Sequence, residues 1–95
     1  MLKQGFIPIG FGHFVQAAYI LAILAPDSAP IKKMRREASE KGLLVDATNG
    51  RKTRSFILTT TGHLILSAFQ PETMAAKLNK TNENNKKGGE SFELV

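Results

Sequence analysis

The sequence predicts a small α+β domain with a mostly antiparallel sheet, one well-formed helix and a short C-terminal helix. The chain has 95 residues, which leaves room for one hydrophobic core. Hydrophobic residues make up 42% of it and charged residues 22%, proportions that are typical of globular proteins. Several short apolar segments bounded by Gly, Pro and Asn predict strands. Because so short a chain buries a modest core, self-association should stabilise it.

The first quarter of the chain is predicted to be extended. Gln4–Ile9 is apolar, and Pro8 restricts this segment to the edge of a sheet because proline has no amide hydrogen to donate. Gly10-Phe11-Gly12 then breaks the segment. Phe14–Leu24 is apolar on all sides, so its periodicity alone does not distinguish a helix from a strand. Its β-branched residues and the flanking glycine and proline favour a long buried strand.

The clearest helix is predicted over Ala29–Lys41. Asp27 or Ser28 can cap its first amide groups, and Pro30 suits a first helical turn. Apolar residues recur inside it at helical spacing, and Gly42 follows as a typical stop signal. These local signals predict where the helix begins and where it ends.

Three strands and a second helix should complete the domain. Leu43–Val45 and Thr53–Thr59 flank Thr48-Asn49-Gly50, and an Asn-Gly pair readily adopts the positive φ angles of a tight hairpin turn. His63–Phe69 follows after a further turn, so the three strands are predicted to form an antiparallel meander. A short helix should run from Pro71 to about Leu78, with an acidic residue in its first turn.

The predicted organisation is one domain over residues 1–78 and a tail over residues 79–95. The tail begins with a polar, low-complexity stretch, which predicts disorder. The apolar run Phe14–Ala25 is far shorter than the roughly 20 residues that span a bilayer, and the single cation before it argues against a signal peptide. The chain has no cysteine, which fits a reducing compartment. We therefore expect a cytoplasmic protein with no membrane partner.

The sequence lacks the residue patterns that catalysis or metal binding would require. The absence of cysteine excludes thiol chemistry and Cys-based metal sites. His13 and His63 have no carboxylates at metal-ligand spacing around them. Gly10-Phe11-Gly12 lacks both the third glycine of a dinucleotide fingerprint and the Lys-Ser/Thr of a P-loop. We expect no enzyme activity, no cofactor, no metal and no small-molecule substrate.

The positive charge is concentrated in one segment. The formal net charge is +5, and eight of the 13 lysines and arginines lie within Lys32–Arg54. A compact domain with a basic patch and a pI near 9.8 is typical of nucleic-acid-binding proteins. The predicted DNA contacts are Arg51, Lys52 and Arg54, at the tip of the predicted hairpin, and Lys33 and Arg36 on the helix.

Two other functions remain open at this point. A basic sheet would also suit single-stranded RNA, although Phe11, Phe14 and Tyr19, the clustered aromatic residues, lie in a segment predicted to be buried, which leaves little for stacking. A structural ring that binds an acidic protein partner would use the same basic patch. A gel shift with duplex DNA and single-stranded RNA over a salt series separates these functions.

Five motifs, in order along the chain, carry a resemblance to a known family. They are Gly10–Gly12 (GFG), Ala25–Lys32 (APDSAPIK), Leu44–Thr48 (LVDAT), Gly50–Arg54 (GRKTR) and Ile65–Thr73 (ILSAFQPET). Together they resemble the bacterial extracellular matrix regulatory protein RemA family over about Gly5–Leu78. Several separated motifs in the same order are far more specific than one short pattern.

The resemblance implies a DNA-binding transcriptional regulator that activates matrix and biofilm genes and assembles into ring-like homo-oligomers with DNA on the outer rim. The family's adjacent Arg-Arg pair corresponds to Arg51 and Lys52. Lys52 keeps the positive charge of the second arginine but lacks its planar guanidinium, which can form two parallel hydrogen bonds. Tyr19 stands where the family tends to have a basic residue. Pro30 matches a proline at which the family is sensitive, and we interpret it as structural: it sets the helix start and, through it, a subunit contact.

Overall fold

A computed structural model describes residues 5–85, with side chains described as far as residue 80. This part of the chain forms a two-stranded sheet, a four-stranded sheet and two α-helices. The elements are β1 (Phe6–Gly10), β2 (His13–Gln16), β3 (Ile20–Leu24), α1 (Ala29–Glu40), β4 (Leu44–Asp46), β5 (Ser55–Thr59), β6 (Leu64–Ser67) and α2 (Pro71–Asn85), with a single 3₁₀ turn at Ala17–Tyr19. The α+β class is confirmed.

The larger sheet has the strand order β3-β5-β6-β4. β5 pairs antiparallel with both β3 and β6, whereas β4 pairs parallel with β6. The sheet is therefore mostly antiparallel, as predicted, but the predicted three-strand meander is wrong. Of these three strands only β5 and β6 form a hairpin, and the chain between β4 and β5 crosses the end of β6 instead of turning back on β4.

The predicted long strand Phe14–Leu24 is also wrong, because the chain changes sheets within it. β2 pairs antiparallel with β1, the 3₁₀ turn redirects the chain, and β3 joins the edge of the larger sheet. The register shifts between Ile20 and Ala22, so that Leu21 is the extra residue of a β-bulge and is 64% exposed. Phe14 is 61% exposed. The apolar run is therefore far from fully buried.

Both faces of the larger sheet are covered. Phe56 and Leu66 lie in a cluster with Ala38 of α1, whereas Ile57 and Ile65 lie in a cluster with residues of β1 and α2. Alternate residues of the central strands β5 and β6 thus point to opposite hydrophobic layers. This arrangement explains why both strands are buried along almost their whole length.

The two helices begin where the sequence predicts. Ser28 is the N-cap of α1, although its side chain forms no capping hydrogen bond with the described residues, and Pro30 lies in the first turn. α2 begins at Pro71 but continues to Asn85, so its predicted end near Leu78 is wrong and the helix includes the start of the predicted tail. Residues 86–95 of that tail lie outside the described part of the chain. Pro8 lies in a two-stranded sheet, as an edge residue must.

Candidate nucleic-acid interface

The connection between β4 and β5, residues 47–54, carries three of the predicted DNA contacts and is called the basic loop. Both of its ends are hydrogen-bonded to β6: the amide of Ala47 donates to the carbonyl of Leu66 at 2.9 Å, and the amide of Arg54 donates to the carbonyl of Ser67 at 2.8 Å. The loop therefore bridges the end of β6 and is fixed on both sides. Its backbone is held in place before any ligand binds.

The first turn of the basic loop has its own hydrogen bonds. The Oδ1 atom of Asp46 accepts hydrogen bonds from the Oγ1 atom of Thr48 at 2.6 Å and from the amide of Thr48 at 2.9 Å. These bonds, with the charge of Arg35, lower the pKa of the Asp46 carboxyl. Asn49 and Gly50 have φ angles of 55° and 82°, as the Asn-Gly pair predicts, although the turn does not close a hairpin.

Arg51, Lys52 and Arg54 are all exposed and lie together around one open pocket. This loop pocket has a volume of about 400 Å³, and Phe11 and Phe69 also line it. The prediction that these cations stand at the tip of a two-stranded hairpin is wrong, because the strand begins only at Ser55. Their clustering comes instead from the curvature of the chain as it crosses β6.

Phe11 is a candidate site residue that the sequence analysis missed. It is 44% exposed, and its ring lies beneath the guanidinium of Arg51, whose Cζ atom is 5.0 Å from the ring centroid. Its φ angle is 57°, and Gly10 and Gly12 on either side also have positive φ. A left-handed conformation costs a non-glycine residue roughly 1–2 kcal/mol. The expectation that Phe11, Phe14 and Tyr19 lie in a buried segment is wrong, because all three side chains are exposed.

The two predicted contacts on α1 occupy different surroundings. Arg36 lines a groove of about 710 Å³ together with Lys32 and Arg35, and Lys52 of the basic loop lines the same groove. Lys52 thus belongs to both the loop pocket and this α1 groove. Lys33 is exposed, but among the described residues it lines neither of them. The structure therefore brings Arg36 together with the basic loop and leaves Lys33 apart.

A further cation approaches the loop pocket from α2. The Nζ atom of Lys77 lies 5.1 Å from the ring centroid of Phe69, and Phe69 lines the pocket. The sequence places Lys77 more than twenty residues from the basic loop, and only the packing of α2 brings the two regions together. Pro30, at the start of α1, is exposed to solvent.

Fold and surface together define a small α+β protein whose exposed cations converge on one loop and one helix. The chain belongs to the RemA-like family, described as extracellular matrix regulatory protein A-like, whose family model matches residues 6–78. The resemblance of the five motifs to this family is confirmed.

Relatives in three bacteria support the assignment, and each carries the name "Putative regulatory protein". The chain is 52% identical to the protein of Geobacillus thermodenitrificans over 87 residues, covering 92% of this chain and 100% of the relative. It is 55% identical to the protein of Alkaliphilus metalliredigens, and the match covers 82% of this chain and 84% of the relative. It is 58% identical to the protein of Acetivibrio thermocellus, and the match covers 77% of this chain and 78% of the relative. The chain is thus a member of a family of regulatory proteins.

Among residues 5–85, neither helix is long and apolar enough to cross a membrane. The described residues also contain no group of three or more His, Asp or Glu side chains arranged to hold a metal ion.

Proposed function

We propose that this protein is a transcriptional regulator that binds double-stranded DNA through the basic loop, repeated around a ring-like homo-oligomer. One observation carries the proposal: Arg51, Lys52 and Arg54 are exposed around a single pocket, on a loop that is fixed to β6 at both ends. A fixed backbone lowers the entropy lost on binding, because only side chains remain to be ordered.

The side chains of the loop suit contacts with phosphate. A guanidinium presents its N–H donors along its edge, so Arg51 can face a phosphate while its guanidinium stays over the ring of Phe11. Lys52 contributes a point charge without the planar fork. Few side chains of the basic loop suit hydrogen bonds to the edges of the bases. Selectivity among DNA sequences should therefore come mainly from the shape and bendability of the duplex.

Exposed apolar residues support the homo-oligomer. Phe14 and Leu21 are more than half exposed on a chain of this small size, and the bulge in β3 turns Leu21 outward. Large exposed apolar side chains are typical of surfaces that contact another protein. Pro30, exposed at the start of α1, would set the angle of a helix that contacts the neighbouring subunit. A ring of such subunits would present many weak phosphate contacts to one duplex and so bind it strongly.

By its resemblance to the family, the regulator would act on the nucleoid, in the cytoplasm, and activate extracellular matrix and biofilm genes. The single-stranded RNA alternative gains one specific observation, because Phe11 is an exposed aromatic ring beside a cation, and such pairs can stack an unpaired base. Duplex DNA remains the favoured ligand, since of the two described aromatic rings that line the loop pocket Phe11 is exposed and Phe69 is half-buried, which leaves little surface for stacking successive bases.

The experiment that tests this function is a fluorescence anisotropy titration with duplex DNA, the corresponding single-stranded DNA and single-stranded RNA. We expect the duplex to bind tightest, and its log affinity to fall with log salt by about 0.9 for each phosphate contacted. Tighter binding of RNA than of duplex DNA would favour the RNA alternative. Binding of no nucleic acid at low salt would leave an acidic protein partner as the remaining function.

Replacement of Phe11 by leucine should weaken duplex binding by roughly two- to fivefold per engaged subunit, because a cation–π contact at an exposed site contributes about 0.5–1 kcal/mol. Phe11→Tyr keeps the aromatic face and serves as the control, with affinity close to that of the wild type. Both variants retain a large side chain at the same left-handed position. Anisotropy titrations of the three proteins measure the difference, and equal affinities would show that the ring does not position Arg51.

A further inference from the structure

The α1 groove has a composition that differs from that of the loop pocket. Four cations line it, and so do two carboxylates, Asp27 and Glu40. Pro26 and Leu44, both half-buried, contribute apolar surface to the groove, whereas Phe56 also lines it but is only 2% exposed. The four cations are Lys32, Arg35, Arg36 and Lys52. Its volume of about 710 Å³ lies within the range typical of small-molecule sites, about 300–1,000 Å³.

This mixture of groups matches a molecule that is anionic at one end only. A continuous phosphate backbone would place negative charge beside the carboxylates of Asp27 and Glu40, which would repel it. A nucleotide, in contrast, offers phosphates to the cations, hydroxyl and amino donors to the carboxylates, and a flat base to the apolar side chains. The groove therefore provides a partner for each part of a nucleotide.

We propose that the α1 groove binds a nucleoside diphosphate or triphosphate. The phosphates lie against Arg35, Arg36 and Lys52, and the base lies toward the half-buried Pro26 and Leu44. Because Lys52 also lines the loop pocket, the nucleotide and duplex DNA compete for one cation. A small molecule thereby acts on the regulator at a site of its own, and this goes beyond the proposed DNA binding.

Isothermal titration calorimetry on the full-length protein without DNA tests the site directly. The probes are ATP, ADP, adenosine and pyrophosphate, without divalent cations. We expect ATP and ADP to bind more tightly than either fragment, because neither fragment fills the whole groove. Pyrophosphate binding as tightly as ADP would overturn the nucleotide assignment, and so would ATP and ADP giving no binding heat at millimolar concentration.

Two matched variants locate the site. Lys32→Ala with Arg35→Ala should weaken ADP binding by about tenfold or more, because the variant removes two of the four cations that line the groove, one of them a proposed phosphate contact. Lys33→Ala with Lys41→Ala removes the same charge near the same helix but outside the groove, so its ADP affinity should stay within about twofold of wild type. Equal losses in the two variants would overturn the site. Ser39→Trp, which fills the groove without changing its charge, should also abolish binding, and unchanged ADP affinity in this variant would overturn it.

A single substitution separates this proposal from the proposed DNA binding. Arg51 lines the loop pocket but is not among the described residues that line the groove. Arg51→Ala should therefore lose DNA affinity and keep ADP affinity, whereas Lys52→Ala should lose both. If the wild-type protein fails to bind DNA, the calorimetric result still decides whether the groove binds a nucleotide. A Lys52→Ala variant with wild-type ADP affinity would overturn the proposal that the nucleotide and duplex DNA share Lys52.

Discussion

Replacing Arg51 and Lys52 together by alanine should abolish duplex DNA binding at physiological salt. Both side chains lie on the fixed basic loop, and each should neutralise one phosphate. Each phosphate contact contributes about 0.9 to the slope of log affinity against log salt, so the slope should become shallower by about 2 for every engaged subunit. Several subunits on one duplex multiply the loss. Anisotropy titrations at a series of salt concentrations measure both the affinity and the slope.

The fold of the double variant should be intact, because both side chains are exposed and belong to neither hydrophobic cluster. The matched control is Lys41→Ala with Lys80→Ala, which lowers the net charge equally at exposed positions away from the loop pocket. Arg51→Lys is a finer test, since it keeps the charge and removes the planar fork. Unchanged affinity and slope in the double alanine variant would rule out the basic loop as the DNA contact.

Those features of the fold that depend on local signals could be predicted from the sequence. The start of α1 follows from Pro30 and the residues before it, and the left-handed turn at Asn49 follows from the glycine after it. The parallel pairing of β4 with β6 could not be predicted, because it joins Leu44 to Leu64 across twenty residues and no turn signal specifies a pairing at that distance. An Asn-Gly turn usually closes a hairpin between two neighbouring strands. Here the turn lies in the basic loop, which crosses the end of β6.

The grouping of cations at the candidate site could be predicted, but the shape of the pocket that they line could not. Arg51 and Lys52 stand out in the sequence because charge and a turn coincide there. Phe11 does not stand out, because a phenylalanine with positive φ is rare and a GFG motif indicates only a bend. The α1 groove joins a helix to a loop, so only the tertiary structure brings Arg35 and Lys52 together.

The apolar run of residues 14–25 is only partly buried within one chain, and its exposed members suit the proposed contact between subunits. Burial within one chain and burial between chains require the same residues, so hydrophobicity alone does not separate them. Here the bulge at Leu21 turns an apolar side chain outward from the edge strand of the sheet. We therefore expect the contact between subunits to include this strand.

Leu21→Glu should convert the oligomer into monomers and, as a consequence, greatly weaken DNA binding. A carboxylate placed in an apolar interface loses its hydration without gaining a partner, and the penalty recurs at every repeated contact in a ring. Multi-angle light scattering should give the mass of one chain, 10.4 kDa, for the variant and a multiple of it for the wild type. Because each subunit alone has only a few phosphate contacts, loss of the ring should lower the affinity for duplex DNA by about 10²–10⁴-fold.

Ala75→Glu is the matched control, since it introduces the same charge at an exposed position on α2. It should leave the mass and the DNA affinity unchanged. Leu21 lies outside both hydrophobic clusters, so the circular dichroism spectrum of Leu21→Glu should match that of the wild type and separate loss of assembly from loss of folding. A Leu21→Glu variant that keeps the wild-type mass would exclude this strand as the interface. A monomeric wild type would contradict the ring itself, and DNA binding would then have to depend on the few cations of a single basic loop.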